Sequence, residues 1–286
     1  MGAPPTKPTA SDAEGTRLKI FLLPNLFTAG NLFCGFLALT KIVEADIDAP
    51  AFDTVIRTAI FLIILACVFD LLDGRVARLG GQESPFGREF DSLADIVSFG
   101  VAPAFLVHRV VLRDVFVTRP EWGWFIASIY LVCGAFRLAR FNCLAALSPE
   151  AGGGKEFLGY PIPAAAGLVA SLTLFLLWWN DKISDFKESS MRYALPVILV
   201  FLSVMMVSQV KYPTFKKLDW RMQPAFFKMI IIIVVIAFVV ILWERILPPV
   251  LPIVFTTYLI YGFVRPWLSR KLVHEIEDEE GEEEAS

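Results

Sequence analysis

Four aspartates, Asp70, Asp73, Asp91 and Asp95, occur within one short stretch of a chain that is otherwise strongly apolar. The segments that flank this stretch are almost free of charge. A carboxylate in a hydrophobic span costs about 2.5–3.5 kcal/mol near a helix centre, and less towards the membrane interface. Four of them at helical spacing therefore indicate a compensating partner, and a divalent cation is the most economical one.

The aspartates are spaced so that each pair lies on one face of a predicted helix. Asp70 and Asp73 are three residues apart, and Asp91 and Asp95 are four apart. Side chains at such spacings are neighbours, about 5–6 Å apart at Cβ. The same faces carry small residues that keep the groove between the helices open, namely Gly74, Ala77 and Gly87.

The link between these two helices has the composition of a tight turn followed by a helix start. Gly80 and Gly81 permit a sharp reversal of the chain. Ser84 and Pro85 are typical of an N-cap and a first helical residue. We therefore expect two antiparallel helices that turn their four carboxylates towards each other.

Oxygen ligands without a nearby His or Cys favour Mg²⁺, Mn²⁺ or Ca²⁺ over zinc. Four carboxylates suit two ions, an arrangement that clamps phosphate oxygens in displacement chemistry. Arg78, one turn beyond the first aspartates, is placed for a phosphate or a pyrophosphate-linked nucleotide. The alternative is an ion or proton relay, or aspartates that pair only with Arg75, Arg78 and Arg88.

The whole chain has the composition of an integral membrane protein. Of its 286 residues 56% are hydrophobic and only 19% are charged, and the mean hydropathy is +0.61. Apolar stretches of membrane-spanning length predict an all-α, polytopic bundle of about eight transmembrane helices. The predicted spans are Leu22–Val43, Val55–Leu72, Phe90–Val110, Trp124–Leu147, Pro161–Trp179, Tyr193–Val210, Phe226–Trp243 and Leu247–Val264.

The ends of the chain differ in composition from the membrane domain expected at 21–264. Residues 1–20 are rich in Pro, Thr and charge and predict a disordered N-terminus, and 265–286 form an acidic, solvated tail. Most of the 26 Lys and Arg residues fall on the side of the aspartates and both termini, which predicts a cytoplasmic position for all three. The net charge of −3 owes much to the tail, and we expect membrane lipids but no nucleic acid as partners.

The spacing of the small and acidic residues resembles the signature of CDP-alcohol phosphatidyltransferases. Eight positions match at fixed separations: Asp70, Asp73, Gly74, Ala77, Arg78, Gly87, Asp91 and Asp95. The resemblance implies that a hydroxyl attacks the β-phosphate of a CDP-linked lipid and releases CMP. It also implies two bound divalent metal ions, either Mg²⁺ or Mn²⁺. It further implies that the protein is a homodimer.

Further motifs are similar to those of bacterial-type CDP-diacylglycerol–serine O-phosphatidyltransferases. They lie at 23–28 with 31–35, 91–100, 135–142, 161–165 and 212–216. Directly before the motif at 161–165, Tyr160 stands where a leucine is expected. This resemblance implies CDP-diacylglycerol and L-serine as substrates and the bacterial inner membrane as the location. The last two predicted helices and both termini carry no motif of this kind.

The resemblance also implies roles for individual residues. Asp70, Asp73 and Asp91 would be metal ligands, and Asp95 would be the general base on the serine hydroxyl and would touch the second ion. Residues expected to line the CDP-lipid site are Asn25, Thr28, Asp70, Gly74, Ala77, Arg78 and Gly87, and those expected to hold serine are Arg137, Arg140 and Asn142.

Other interpretations remain open at this point. Asn25 and Thr28 could instead serve a helix N-terminus, and Arg137 and Arg140 could anchor the inner face of the membrane. The same chemistry could use glycerol 3-phosphate, inositol phosphate or an archaeal-type CDP-lipid. From a different class, a cation transporter could use the aspartates as its ion path.

Overall fold

The computed structural model describes residues 21–81, 84–147, 156–182, 193–213, 247–262 and 264. Five long helices follow one another: α1 (Leu22–Glu44), α2 (Phe52–Gly80), α3 (Pro85–Val115), α4 (Pro120–Leu147) and α5 (Ile162–Lys182). Two shorter apolar helices are α6 (Ala194–Val207) and α7 (Leu247–Gly262). Two short strands are β1 (Glu156–Leu158) and β2 (Lys211–Pro213).

The five long helices are each long and apolar enough to cross a membrane. The predicted all-α membrane bundle is therefore confirmed. Helix α6 has 14 residues and falls short of the roughly 20 that a full crossing needs. The span predicted at 226–243 lies outside the described residues, as do the predicted terminal segments 1–20 and 265–286, so the number eight stays a prediction.

Helices α2 and α3 extend well beyond their predicted apolar windows. The span expected at Val55–Leu72 is part of Phe52–Gly80, and the one expected at Phe90–Val110 is part of Pro85–Val115. At 29 residues, α2 is about 43 Å long, more than the roughly 30 Å of a hydrocarbon core. A hydropathy window stops where polar residues begin, whereas helical hydrogen bonding continues through them.

The two described ends of the predicted link between α2 and α3, at Gly81 and Ser84, are as the sequence predicted. Gly81 ends α2 in the left-handed conformation, with φ of 60°, which glycine adopts without steric cost. The hydroxyl of Ser84 accepts a 3.0 Å hydrogen bond from the amide of Gly87, and Pro85 is the first residue of α3. Helix α3 begins five residues after α2 ends, and both helices pack against α1.

Helix α3 contains two π-helical stretches, Ile96–Val101 and His108–Leu112. The first begins directly after Asp95 and packs against α1. At this contact Gly35 of α1 lies against Ser98, and a Cβ added to Gly35 would overlap both the side chain and the backbone of Ser98. The glycine therefore permits a close approach of α1 to the segment that follows the aspartates.

Helix α5 is the most extensively buried of the five spans and lies in the centre of the bundle. It packs against α2, α3, α4 and α6. It also contacts α7, where the ring of Phe255 occupies the space that a side chain at position 167 would fill. Gly167 thus permits a close approach of the two helices. The packed centre supports the helices that carry the aspartates.

The two strands form a small antiparallel pair that the sequence did not predict. Phe157 of β1 lies opposite Tyr212 of β2. Gly159 follows β1 with φ of +78°, and a Cβ there would meet the carbonyl of Met206 and the guanidinium of Arg140. The pair ties the segment before α5 to the segment after α6.

Candidate active site

Three of the four aspartates meet in one cluster between α2 and α3. A carboxylate oxygen from each of Asp70, Asp91 and Asp95 lies within 4.8 Å of those of the other two. Asp95 is buried, and Asp70 and Asp91 are half-buried. Three carboxylates this close repel one another unless protons or cations are shared among them.

Asp73, the fourth aspartate, is attached to helix α1. Its Oδ2 accepts a 2.8 Å hydrogen bond from the hydroxyl of Thr28, which also lies 3.3 Å from the carbonyl of Pro24. Asp73 is only 6% exposed, but it is not part of the group of three. Thr28 thus contacts one of the predicted metal ligands, one helix away.

A second contact from α1 holds Asp95. The side-chain amide of Asn31 donates a 3.2 Å hydrogen bond to Asp95 Oδ1, and Ser98 donates to the backbone carbonyl of Asn31 at 3.0 Å. Asn31 and Ser98 are both fully buried. Asn31 belongs to the motif at 31–35, for which the sequence predicted no individual role. A pattern in the sequence could have indicated a role for Asn31, because the polar residues Asn25, Thr28 and Asn31 recur at every third position of an apolar helix.

The two glycines that were expected to keep the groove open lie against neighbouring side chains. A Cβ on Gly74 would lie 3.3 Å from Nη1 of Arg78, so the guanidinium folds back over the glycine. A Cβ on Gly87 would lie 3.2 Å from Ser84 Oγ and 3.4 Å from Asn25 Oδ1. Gly87 therefore brings the start of α3 against Asn25 of α1. Ala77 is half-buried on the same helix as Gly74.

The donor set of the cluster fits a divalent cation. Every oxygen in it belongs to a carboxylate, the ligand type that Mg²⁺, Mn²⁺ and Ca²⁺ accept. Asp91 Oδ1 is buried and has no hydrogen-bond partner among the described residues, so it remains available to a cation.

The three residues expected to hold serine contact different partners. Arg137 of α4 is 7% exposed and interacts electrostatically with Asp95 and Asp70. It also interacts with Tyr258 of α7. A buried guanidinium beside a carboxylate cluster is a candidate for binding an anionic substrate group.

Arg140 is engaged with backbone carbonyls. Its guanidinium donates to Val207 at 2.7 Å, Ser208 at 3.0 Å and Leu158 at 3.1 Å. These carbonyls are at the end of α6, just after it, and at the end of β1, so Arg140 satisfies orphan acceptors there. Its geometry is that of a structural clamp between α4 and the strand pair.

Asn142 contacts the outer part of α3. Its amide nitrogen donates to Ser92 Oγ at 2.9 Å and lies 3.4 Å from Glu89 Oε2. Its Oδ1 is buried and without a partner among the described residues. The residue thus contacts α3 at Ser92, one turn before Asp95.

Comparison with known proteins places the site in a family. The family model for CDP-alcohol phosphatidyltransferases matches residues 21–208, which include the four aspartates of the site. The chain belongs to the CDP-alcohol phosphatidyltransferase family. Its predicted resemblance to that family is confirmed.

Individual relatives cover most of the chain. A protein named CDP-diacylglycerol--serine O-phosphatidyltransferase from Helicobacter pylori is 35% identical over 249 residues, 87% of this chain and 92% of the relative. One of the same name from Bacillus subtilis is 34% identical, over 68% of this chain and 92% of the relative. Archaetidylserine synthase from Methanothermobacter thermautotrophicus is 33% identical, over 67% and 69% of the two chains.

Proposed function

We propose that this protein transfers a phosphatidyl group from CDP-diacylglycerol to the hydroxyl of L-serine, giving phosphatidylserine and CMP. The observation that carries the proposal is the cluster of Asp70, Asp91 and Asp95 on a chain of the CDP-alcohol phosphatidyltransferase family. The names of the Helicobacter pylori and Bacillus subtilis relatives support serine as the acceptor.

The reaction is a single displacement at phosphorus. The serine hydroxyl oxygen forms a bond to the phosphorus that carries diacylglycerol, and the bond from that phosphorus to the oxygen of CMP breaks. The hydroxyl proton passes to Asp95, and CMP leaves with the bridging oxygen. Direct attack is expected because the cluster itself offers carboxylates and no Ser, Cys or His side chain.

Asp70, Asp73 and Asp91 are the proposed metal ligands, with Asp95 contributing to a second ion. Bound divalent cations, Mg²⁺ or Mn²⁺, supply Lewis-acid stabilisation of the diphosphate and of the leaving CMP. The protein's own part is to hold the carboxylates rigidly. Thr28 does so for Asp73 through its 2.8 Å hydrogen bond.

Asp95 is the proposed general base. Its carboxylate is buried, and Asn31 donates to one of its oxygens. This contact restricts the rotation of the carboxylate, so that a proton acceptor stays next to the attacked phosphate. Asn31 acts as a positioning residue in this scheme, since it contacts Asp95 rather than substrate.

The CDP-lipid is proposed to bind along the groove between α1, α2 and α3. The diphosphate is assigned to the side of α2 and α3 where Gly74 and Gly87 add no side chain, and the exposed Arg78 guanidinium lies against Gly74 there. Asn25 contributes a buried amide nitrogen that has no partner among the described residues. Asp70, Thr28 and Ala77 are the remaining residues that are proposed to line the CDP-lipid site.

Arg137 is the proposed ligand of the serine carboxylate. It is buried and its charge acts on Asp95 and Asp70, so a carboxylate held there lies beside the proposed base. Arg140 and Asn142 are proposed to support this region from their contacts with α6 and α3.

The placement in the cell is also part of the proposal. We propose a membrane domain at 21–264 in the bacterial inner membrane, with the aspartates, the N-terminal segment 1–20 and the acidic tail 265–286 on the cytoplasmic side. The distribution of Lys and Arg supports this orientation. We further propose a homodimer, as the family resemblance implies.

A panel of acceptors tests the proposed function. Purified protein receives CDP-diacylglycerol with L-serine, glycerol 3-phosphate or inositol phosphate, in Mg²⁺, Mn²⁺ or EDTA, and CMP release is measured. We expect serine-dependent and metal-dependent CMP release. Release with serine no greater than with buffer would contradict the proposal.

A second CDP-lipid in the same assay tests which lipid donor the protein uses. CDP-archaeol replaces CDP-diacylglycerol, because one relative is named archaetidylserine synthase. The assay is run in detergent, where no ion gradient exists, so a cation transporter would release no CMP.

A further inference from the structure

Three tyrosines from three separate segments form a closed aromatic cluster next to Arg137. Tyr160 precedes α5, Tyr212 lies on β2 and Tyr258 lies on α7. Their ring centroids are 5.2 Å apart for Tyr160–Tyr212, 5.8 Å for Tyr160–Tyr258 and 5.9 Å for Tyr212–Tyr258. We call these three residues the tyrosine cluster.

The hydroxyl of Tyr212 has no hydrogen-bond partner among the described residues, although Tyr212 is fully buried. A buried hydroxyl without a partner costs free energy, because it has lost its bonds to water. Burial, followed by the neighbouring Tyr258, raises the pKa of Tyr212 to about 12, so the phenol is neutral at physiological pH. It therefore offers one donor and two lone pairs to a ligand.

Among the described residues, the hydroxyl of Tyr160, unlike that of Tyr212, has a hydrogen-bond partner. Its hydroxyl lies 3.4 Å from the carbonyl of Phe255, to which it donates. Tyr160 therefore has a structural partner within the bundle, whereas Tyr212 at the same cluster has none in the described part of the chain.

The tyrosine cluster is linked electrostatically to the aspartates through Arg137. Tyr258 interacts with Arg137, and Arg137 interacts with Asp95 and Asp70. An α-amino acid carries its ammonium group on the carbon next to its carboxylate, so a carboxylate bound by Arg137 brings an ammonium group close to Arg137 and to Tyr258, which interacts with it. Aromatic faces and phenolic oxygens are suitable partners for an ammonium group.

We infer that Tyr212 and Tyr258 of the tyrosine cluster, with Tyr212 as the hydrogen-bonding member, form the subsite for the α-ammonium group of an amino-acid acceptor, while Tyr160 supports the two rings from outside the subsite. This inference rests on the proposed function and deepens it, since it names the feature that distinguishes serine from acceptors without an amine. Glycerol 3-phosphate and inositol phosphate carry no ammonium group and would leave Tyr212 without a partner. Tyr212 is thus a specificity-determining residue.

The test compares Tyr212→Phe with the matched control Tyr160→Phe, using CMP release at varied serine concentration. For Tyr212→Phe we expect a KM for serine that rises about 10- to 100-fold, as for loss of a hydrogen bond to a charged group. The KM for CDP-diacylglycerol and the apparent melting temperature should stay unchanged. Tyr160→Phe should lower the melting temperature and leave the KM for serine unchanged.

A substrate analogue isolates the ammonium group. 3-Hydroxypropionate is serine without its amine, so wild-type protein should use it poorly as an acceptor. The Tyr212→Phe substitution should cause no further loss of activity with this analogue. Serine should also raise the melting temperature of wild-type protein more than that of the variant, which requires no turnover. An equal loss for both acceptors, or an unchanged KM for serine, would overturn the subsite.

Failure of the subsite and failure of the proposed function give different results. Wild-type protein that releases no CMP with serine would overturn the proposed function and the subsite together. Wild-type protein that is active with serine, alongside an equally active Tyr212→Phe variant, would overturn the subsite alone.

Discussion

Asn31 of α1 donates a 3.2 Å hydrogen bond to Asp95 of α3, across 64 residues of sequence. Both side chains are buried, and the backbone of Asn31 is itself bound by Ser98, three residues after Asp95. Helix α1 therefore contacts α3 both at the aspartate and one turn beyond it. The proposed base is held by a helix that carries no acidic residue in the catalytic motif.

Replacing Asn31 with Ala should lower kcat about 10- to 100-fold, because Asp95 loses a hydrogen bond to its charged oxygen. The KM for CDP-diacylglycerol should change little, since Asn31 contacts Asp95 rather than the lipid groove. Steady-state CMP release measures both constants. Thr40→Ala serves as the control, because that exposed hydroxyl bonds only to the carbonyl of Phe36 on the same helix.

Asp95→Asn should reduce turnover by a factor of about 100 to 10,000, the contribution typical of a general base. Expression and metal-dependent binding of CDP-lipid should persist, because Asp70 and Asp91 remain. Single-turnover CMP release and equilibrium binding of the nucleotide-lipid measure the two properties separately. Near-normal turnover of this variant would show that the base is another group.

Asp73→Ala should weaken metal-dependent binding of the CDP-lipid as well as turnover. The proposed reason is the loss of a metal ligand that Thr28 orients. Titration of Mn²⁺ against nucleotide-lipid binding measures the effect. Thr28→Val gives the graded comparison, since it keeps the carboxylate and removes only its 2.8 Å hydrogen bond; an effect as large as that of Asp73→Ala would contradict the ligand assignment.

Gly74→Leu should abolish CDP-lipid binding by bulk alone, whereas Gly74→Ala should weaken it moderately. An added Cβ lies 3.3 Å from the Arg78 guanidinium, which is the flexible end of a side chain and can move. The larger leucine extends further into the proposed groove. Binding of CDP-diacylglycerol and the melting temperature are measured together, and intact binding by Gly74→Leu would place the diphosphate elsewhere.

Gly35→Ala should destabilise the bundle by about 1–3 kcal/mol, the usual cost of overpacking. The added methyl overlaps Ser98, including its backbone, so α1 and α3 must separate. Gly123→Ala is the matched control, because a Cβ there would meet Leu112 at an ordinary contact distance of 3.5 Å. Thermal unfolding in detergent should distinguish the two variants.

Arg137 and Arg140 should respond differently to substitution by Gln. Arg137→Gln should raise the KM for serine with little change for the lipid donor, since its charge lies next to the aspartates. Arg140→Gln should chiefly lower the melting temperature, because its guanidinium binds the carbonyls of Val207, Ser208 and Leu158. The opposite pattern would exchange their assigned roles.

Sequence alone predicted the features that depend on local spacing. The helical period puts Asp70 with Asp73, and Asp91 with Asp95, on common faces. Three of these four carboxylates meet in the structure, and Asp73 turns to Thr28 of α1 instead. The cap at Ser84 and the turn at Gly81 were likewise predicted and are confirmed, because capping depends on a few adjacent residues. Hydropathy sufficed for the all-α membrane class, since a bilayer selects long apolar helices.

Only the tertiary structure decided which distant side chains meet. Arg137 and Arg140 are three residues apart and look equivalent in sequence, yet one lies near Asp95 and the other binds carbonyls after α6. Likewise, no local pattern connects Tyr160, Tyr212 and Tyr258, whose contact depends on how α5, β2 and α7 pack. Periodicity determines which face of a helix a residue occupies, but the partner of that face is set by the packing of the whole bundle.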